Sequence, residues 1–501
     1  MTRLLDMEED IDSPEYRKTI RRFKDSIHDY MGFGPTVCAI IDTPQFQRLR
    51  YIKQLGTSYH VWPCASHNRF EHSLGVAHLA QTMVLNLKNT QPTLGITDRD
   101  VRCVTIAGLC HDLGHGPWSH VWDSLFIPRA LPGRNWTHEE ASEMMFDSLL
   151  KENELELDDQ DANFIKALIA SDPSRCSGTE KPYLFEIVAN KRNSLDVDKF
   201  DYIARDSHAI DQKSNLSLTT ICYDIKDANQ IYELCHTRFS LHKRIYSHKT
   251  AKAIEHMIVD ALLLADKYLH IAERINDPRN FYQDDEFHNQ LEKARRIFHR
   301  INTRDLYKAV DFKVILWNEM DICRDYFTPA NIVRAAKSLF ESGTKERTGA
   351  EEIDFTSVNM QDVEDLSEDH VIVDMAPRHF GMEDKNPLEY VKFYSKHHPD
   401  EAKLANLDDI SLSMPQVFGE ALLRVYTREP RFFGLVQAGY RELGVKFHEE
   451  MFPYTSRTVS PEPQLLIPPD SKAPSTPRPT TRSLTRVPSG LTFRKAEEYE
   501  T

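Results

Sequence analysis

The chain has 501 residues, of which 40% are hydrophobic and 28% charged, and its 62 basic and 77 acidic side chains give a formal charge of −15. That balance excludes a sequence-independent duplex binder, whose affinity comes from neutralising phosphates, and no uncharged apolar run is long enough to span a bilayer. The acidic start, "MTRLLDMEEDIDSPEYRK", has no apolar signal core, and the eight cysteines are scattered without a C-x-x-C pair, as expected of reduced thiols in a soluble intracellular protein of nucleus or cytoplasm.

In chain order, residues 1–20 read as a flexible arm. From 21 to about 275 the pattern is mostly helical. "EHSLGVAHLAQTMVLNLKN" sets Leu74, Ala77, Gln81, Val84, Leu85 and Leu87 at near-helical spacing. "VRCVTIAGLC" is as apolar as a buried helix, and "HEEASEMMFDSLLKEN" repeats the pattern through Ala141, Met144, Met145 and Leu149. The clearest helix is "KTAKAIEHMIVDALLLADKYLHIAERI", with one stripe through Ile254, Met257, Ile258, Ala261, Leu262, Ala265 and Leu269. From 276 to 455 helices continue, and "HVIVDMA" and "LEYVKFYS" are strand-like. The last 46 residues, 456–501, hold eight prolines among Ser, Thr and Arg, a composition that does not bury enough surface to order itself. The expected fold is mainly α: a helical core over 21–275, a smaller α+β regulatory and oligomerisation lobe over 276–455, and a disordered tail. Ser460-Pro461 and Thr476-Pro477 in that tail have the form of proline-directed kinase sites, a form common by chance in such segments.

"GLCHDLGHGPWSH" places His111, Asp112, His115 and His120 at the end of an apolar helix. Burying that much polarity requires a hydrogen-bond network or a metal. His72 upstream and Asp198 in "NSLDVDKFDYIARD" complete a His/carboxylate set that suits Fe, Zn or Mn without choosing among them. So few protein ligands leave positions open to water or substrate.

"RFEHSLGV", "GLCHDLGHGPWSH", "WTHEE" and "DVDKFDYIARD" together resemble the HD-domain phosphohydrolases, and the likeness to their deoxynucleoside triphosphate triphosphohydrolase branch covers roughly residues 21–450, including "IIDTPQFQRLRYIKQLGTSYHVWPCASHNRFEHS". The branch usually carries a SAM domain ahead of the HD region, and none is expected here. The resemblance implies metal ligands His72, His111, Asp112 and Asp198, and cleavage of a dNTP to deoxynucleoside and intact triphosphate. It implies His120 as the acid that protonates the leaving oxygen, with His115 and His138 on the α-phosphate. By residue pattern alone, "WTHEE" is equally a helix start, with Thr137 as cap and Glu140 completing a capping box. Arg69, Lys199, Tyr202 and Arg238 are implied to grip the triphosphate, Gln54 and Asp206 to hold the 3′-OH, and Leu55 and Tyr246 to crowd the 2′ position. "LHKRIYSHK" alone reads as a basic helix start on the surface.

The resemblance further implies activation by GTP or dGTP, nucleotide-bound Mg²⁺, homodimers assembling to homotetramers, and control of dNTP pools with antiviral defence as a consequence. Arg21, Asp42, Gln47 and Arg50 match the guanine-reading segment, with Arg21 where the family has lysine. "QFQRLRYIKQL" is also an amphipathic helix with a solvated basic face. Val61, Trp62, His248 and Lys249 match a second, deoxynucleotide effector site. There the pattern frays: the stretch from His208 to His236 is shorter than the family's and lacks the basic segment that contacts effector phosphates, from which Lys226 survives, and "HPDEAKLANLDDIS" replaces a basic stretch. Weakened deoxynucleotide activation and a poorly assembling tetramer are expected. Ser247 stands where the family has a glutamine near the base. The alternatives are an HD phosphodiesterase on another nucleotide, or a catalytically weak relative that binds single-stranded nucleic acid or a protein.

Overall fold

The computed structural model of the chain describes residues 19–176, 178, 180–210, 228–277, 292–342, 359–395, 398–404, 410 and 414–451. Lys226, Ser460, Pro461, Thr476, Pro477, the tail 456–501 and all but the end of the N-terminal arm lie outside the described residues. The chain divides into two units, Met1–Phe447 and His448–Thr501, and of the second only residues 448–451 are described.

The first element wholly within the described residues is not the expected helix. A hairpin of β1 (Arg21–Asp25) and β2 (Asp29–Phe33) pairs Arg21 with Phe33 and Phe23 with Met31. Its strands are only five residues long; β1 is charged and largely exposed, while Met31 and Phe33 of β2 enter the core, so the run of alternation that marks a strand is short. The longer helices follow: α1 (Arg69–Thr90), α2 (Asp98–Cys110), α3 (His138–Glu152), α4 (Asp159–Ile169), α5 (Val197–Ala209), α6 (Ala228–Leu241), α7 (Lys249–Leu269) and α8 (Glu292–Asn302). α1 and α2 both begin with capping boxes, Asn68 with Glu71 and Thr97 with Asp100, which satisfy otherwise orphaned N–H groups. At α3 only half of the expected box forms: Thr137 accepts the Glu140 N–H.

Leu74, Ala77 and Val84 on α1 meet Val104 and Ala107 of α2 in one apolar core, which also receives Ile254, Met257 and Leu262 of α7. Leu85 and Leu87 lie at its half-buried rim. Beyond α8 come β3 (Lys308–Leu316), α9 (Pro329–Ser342), β4 (Val371–His379), β5 (Lys392–Ser395), β6 (His398–Leu404), β7 (Gly419–Thr427) and α10 (Phe433–Met451). β7 is the centre of an antiparallel sheet ordered β3-β7-β4, and β5 pairs with β6. "HVIVDMA" is strand as expected, whereas "LEYVKFYS" is a helical turn followed by a short strand. The helical core and small C-terminal sheets agree with the mainly α expectation. No helix among the described residues is long and apolar enough to cross a membrane.

Candidate active site

Three helices deliver the acidic and imidazole groups. His72 lies in the first turn of α1, His111 and Asp112 follow the last residue of α2, and Asp198 lies in the first turn of α5. The His72 Nε2 is 3.1 Å from Asp198 Oδ1 and 3.4 Å from Asp112 Oδ2. His111 Nε2 is 3.4 Å from both Asp112 Oδ1 and Asp198 Oδ1, and it makes no well-formed hydrogen bond although buried.

The opposite ring nitrogens are fixed from behind. His72 Nδ1 is 2.7 Å from Asp201 Oδ2, and His111 Nδ1 is 2.8 Å from the Gly108 carbonyl. With each ring neutral, as a bound cation would require, both bonds leave Nε2 as the lone-pair atom facing Asp112 and Asp198, the arrangement that orients metal-ligating histidines. Asp201 is itself held by Arg205 through two 2.9 Å bonds and by His28 at 2.6 Å, and Arg205 reaches Asp25 of the hairpin at 2.8 Å. A side chain at Gly75 is incompatible with this stack, because its Cβ would lie 1.9 Å from Asp201 Oδ1. Burial alone would lower the His72 imidazole, yet Asp198, Asp201 and Asp112 push it up to about 10. Asp112 is held well below the usual carboxylate range, against burial, by Arg69, His111 and His115. Clustered carboxylates around two imidazoles demand a positive charge, and the donor set fits a divalent ion.

A second cluster adjoins it. His115, His120, Asp123 and His138 bring their ligand-type atoms within 4.8 Å of one another. His138 Nδ1 is 2.8 Å and His120 Nδ1 3.4 Å from Asp123 Oδ2, and the His115 and His138 rings stack at 4.1 Å. Burial, with Arg69 and His138 nearby, lowers His115 well below the ordinary histidine value and keeps it neutral. Burial also opposes charge on His138, but Asp123, Glu139 and Asp112 raise it. Asp123 escaped the sequence reading; its signal is its position three residues after His120, on a π-helical turn over Trp122–Phe126. The loop between the clusters is tight: Trp118 and Ser119 have φ of 57° and 60°, and the Ser119 hydroxyl meets the Arg69 guanidinium, which also binds Asp112.

These groups open onto a cavity of about 600 Å³ lined by Gln54, Leu55, Arg69, Asp112, His115, His120, His138, Asp198, Tyr202, Asp206, Arg238 and Tyr246. Nearly every residue expected to touch substrate is brought together there. Tyr246 donates to Asp206 Oδ2 at 2.5 Å, His67 Nε2 is 2.7 Å from Asp206 Oδ1, and Arg238 donates to Tyr202 at 3.1 Å. Tyr246 ends a second π-helical turn, His242–Tyr246, an irregularity that recurs at functional sites. Lys199 stands apart: its ammonium binds Asp196 at 3.1 Å and lines a neighbouring hollow with Lys191 and Lys385.

The residues matched to effector sites also gather. Arg21 makes two 3.0 Å bonds to Asp42, and Gln47 accepts from Arg50 at 2.8 Å while donating to the Ile41 carbonyl at 2.7 Å. Instead of one amphipathic helix, this segment is a short helix over Pro44–Gln47 and a tighter turn over Arg48–Tyr51. The Trp62 and His248 rings meet edge-on at 5.0 Å, close in sequence to Val61 and Lys249.

Residues 69–206 match the HD domain family. The chain is 39% identical over 467 residues to the deoxynucleoside triphosphate triphosphohydrolase SAMHD1 of Bos taurus, covering 82% of this chain and 75% of that protein. It is 38% identical over 466 residues to the SAMHD1 of Homo sapiens, with 82% and 71% covered. The SAMHD1 homolog of Dictyostelium discoideum is 36% identical over 466 residues, with 89% and 84% covered.

Proposed function

The chain belongs to the SAMHD1 family of deoxynucleoside triphosphate triphosphohydrolases, and on that premise we propose how its own residues carry out metal-dependent dNTP hydrolysis. The observation that carries the reading is the convergence of His72, His111, Asp112 and Asp198 at 3.1–3.4 Å at one end of a cavity with the remaining substrate-binding groups along it.

His72, His111, Asp112 and Asp198 would hold a divalent ion, which would supply Lewis-acid polarisation of the α-phosphate and acidify water. Arg69, Tyr202 and Arg238 bind the triphosphate, and the guanidinium forks pair with phosphate oxygens; Lys199 joins them by exchanging Asp196 for phosphate. Mg²⁺ accompanies the nucleotide. His115, neutral, and His138, whose charged form Asp123 favours, hold the α-phosphate. His120 delivers a proton to the departing 5′ oxygen, with Asp123 fixing its tautomer through Nδ1. The 5′ oxygen–phosphorus bond breaks, the water oxygen stays on phosphorus, and the products are deoxynucleoside and intact triphosphate. Asp206 and Gln54 hold the 3′-OH, while Leu55 and Tyr246 leave no room for a 2′-OH.

GTP binds at Arg21, Asp42, Gln47 and Arg50. Asp42 exchanges the Arg21 guanidinium for the donor edge of guanine, and Arg21 turns to the phosphates. A deoxynucleotide binds weakly between Trp62 and His248 with Val61 and Lys249, so the homodimer assembles poorly into a tetramer through the 276–455 lobe. Hydrolysis in ¹⁸O-labelled water tests the bond assignment. Label in the triphosphate supports it, and label in the deoxynucleoside hydroxyl contradicts it.

A further inference from the structure

The same cavity is also lined by Ser247 just before α7, by Lys252 and Glu255 in the first two turns of α7, and by Asp374–Pro377 of β4. The start of α7 is pinned to the sheet: Arg424 donates to the Ser247 carbonyl at 2.8 Å, and Tyr426 to the Lys249 carbonyl at 3.1 Å. Lys252 and Glu255 are therefore fixed wall groups.

Their chemistry is unusual for a wall that only excludes solvent. The Lys252 ammonium donates to Glu255 Oε2 at 2.8 Å, one of its three donors. Burial opposes its charge, yet Glu255 and Asp374 hold it protonated well above the ordinary lysine range. His256 Nε2 is 3.4 Å from Asp374 Oδ1, and Asp374 Oδ2 is buried with no hydrogen-bond partner among the described residues. An unpaired buried carboxylate oxygen costs stability, so Asp374 has acceptor capacity that a turn of its carboxylate toward the cavity would offer to a ligand donor. None of these groups takes part in metal binding or proton transfer as derived above.

With the α-phosphate at His72, His111, Asp112 and Asp198, and the sugar between Gln54, Asp206 and Tyr246, the nucleobase is left facing this end. We propose that Lys252, Glu255 and Asp374 read the substrate's base and favour guanine. Two carboxylates and one ammonium offer several acceptors beside one strong donor. The guanine edge is the complement: O6 accepts, and N1–H and the 2-amino group donate. Adenine and cytosine place a donor amino group where the ammonium needs an acceptor, and thymine has a single donor on that edge.

This proposal rests on the dNTP hydrolase reading, and internal competition separates the two. The full chain is given equimolar dGTP and dATP at saturating GTP, and the deoxyguanosine to deoxyadenosine ratio is followed. The ratio reports relative kcat/KM and is unaffected by effector occupancy, because both substrates share one enzyme population. The native chain is expected to favour deoxyguanosine by about tenfold or more. Lys252→Met/Glu255→Gln removes the ion pair without leaving a lone buried charge, and Asp374→Asn is a milder second variant; both are expected to bring the ratio close to one while still releasing triphosphate. A native ratio near one, or a ratio unmoved in both variants, overturns the proposal even if total turnover falls. Release of neither nucleoside by the native chain overturns the hydrolase reading itself.

Discussion

Asp201 Oδ2 stands 2.7 Å behind His72 Nδ1, so a carboxylate that ligates nothing decides which nitrogen of a candidate metal ligand faces the site. Removing one charge there without changing shape, in Asp201→Asn, is expected to weaken metal retention by about 10–100-fold. Metal content after dialysis against a graded chelator measures this, and unchanged retention contradicts the role.

The same stack requires glycine on the facing helix. Gly75→Ala puts a methyl 1.9 Å from Asp201 Oδ1 and 2.6 Å from Arg205 Nη2, and both partners are too buried and too tightly bonded to withdraw freely. Overpacking of this kind costs about 1–3 kcal/mol. Denaturant unfolding of the metal-free chain is expected to show that loss, and an unshifted midpoint counts against the packing described.

Asp123 sets a pH dependence. His138 is raised above the ordinary histidine value of 6.5 because Asp123, Glu139 and Asp112 outweigh its burial. A protonated His138 is present below its pKa and lost as pH rises through it, so activity that depends on it falls on the alkaline side. Asp123→Asn removes a raising interaction, and the alkaline limb of kcat/KM is expected to move to lower pH. A limb that stays in place assigns that proton to another group.

Tyr246, proposed as the 2′ wall, has its hydroxyl engaged on Asp206. Tyr246→Ala is expected to reduce discrimination between dGTP and GTP as substrates by about 10–100-fold, read as guanosine appearing among the products. Tyr246→Phe keeps the ring and is expected to retain the discrimination. Equal loss in both assigns selectivity to the hydrogen bond instead of the wall.

The convergence of His72, His111, Asp112 and Asp198 was legible because polarity at the end of an apolar helix is costly and the surrounding motif is long. The helical core was legible from periodic stripes such as Ile254–Leu269. The support behind the ligands was not, although Asp198, Asp201 and Arg205 are spaced three and four residues apart on one helix: spacing places them on one face but does not say which helix meets that face. The Arg21–Phe33 hairpin was missed because its strands are only five residues long and β1 is charged and largely exposed. The central strand β7 was missed because "GEALLRVYT" is buried on both sides and so has no alternation to read. The partner of Lys199 was not legible either: the resemblance points its ammonium at phosphate, and in the structure that ammonium meets Asp196.

The central claim is that the cradle of His72, His111, Asp112 and Asp198 supports removal of intact triphosphate from a dNTP. The purified full chain is incubated with dGTP, GTP and Mg²⁺ or Mn²⁺, beside the His111→Ala/Asp112→Ala variant, and the products are separated. Deoxyguanosine and inorganic triphosphate in equal amounts from the native chain, and neither from the variant, is the predicted result. Pyrophosphate with dGMP, phosphate with dGDP, or triphosphate release that survives in the variant would contradict the account.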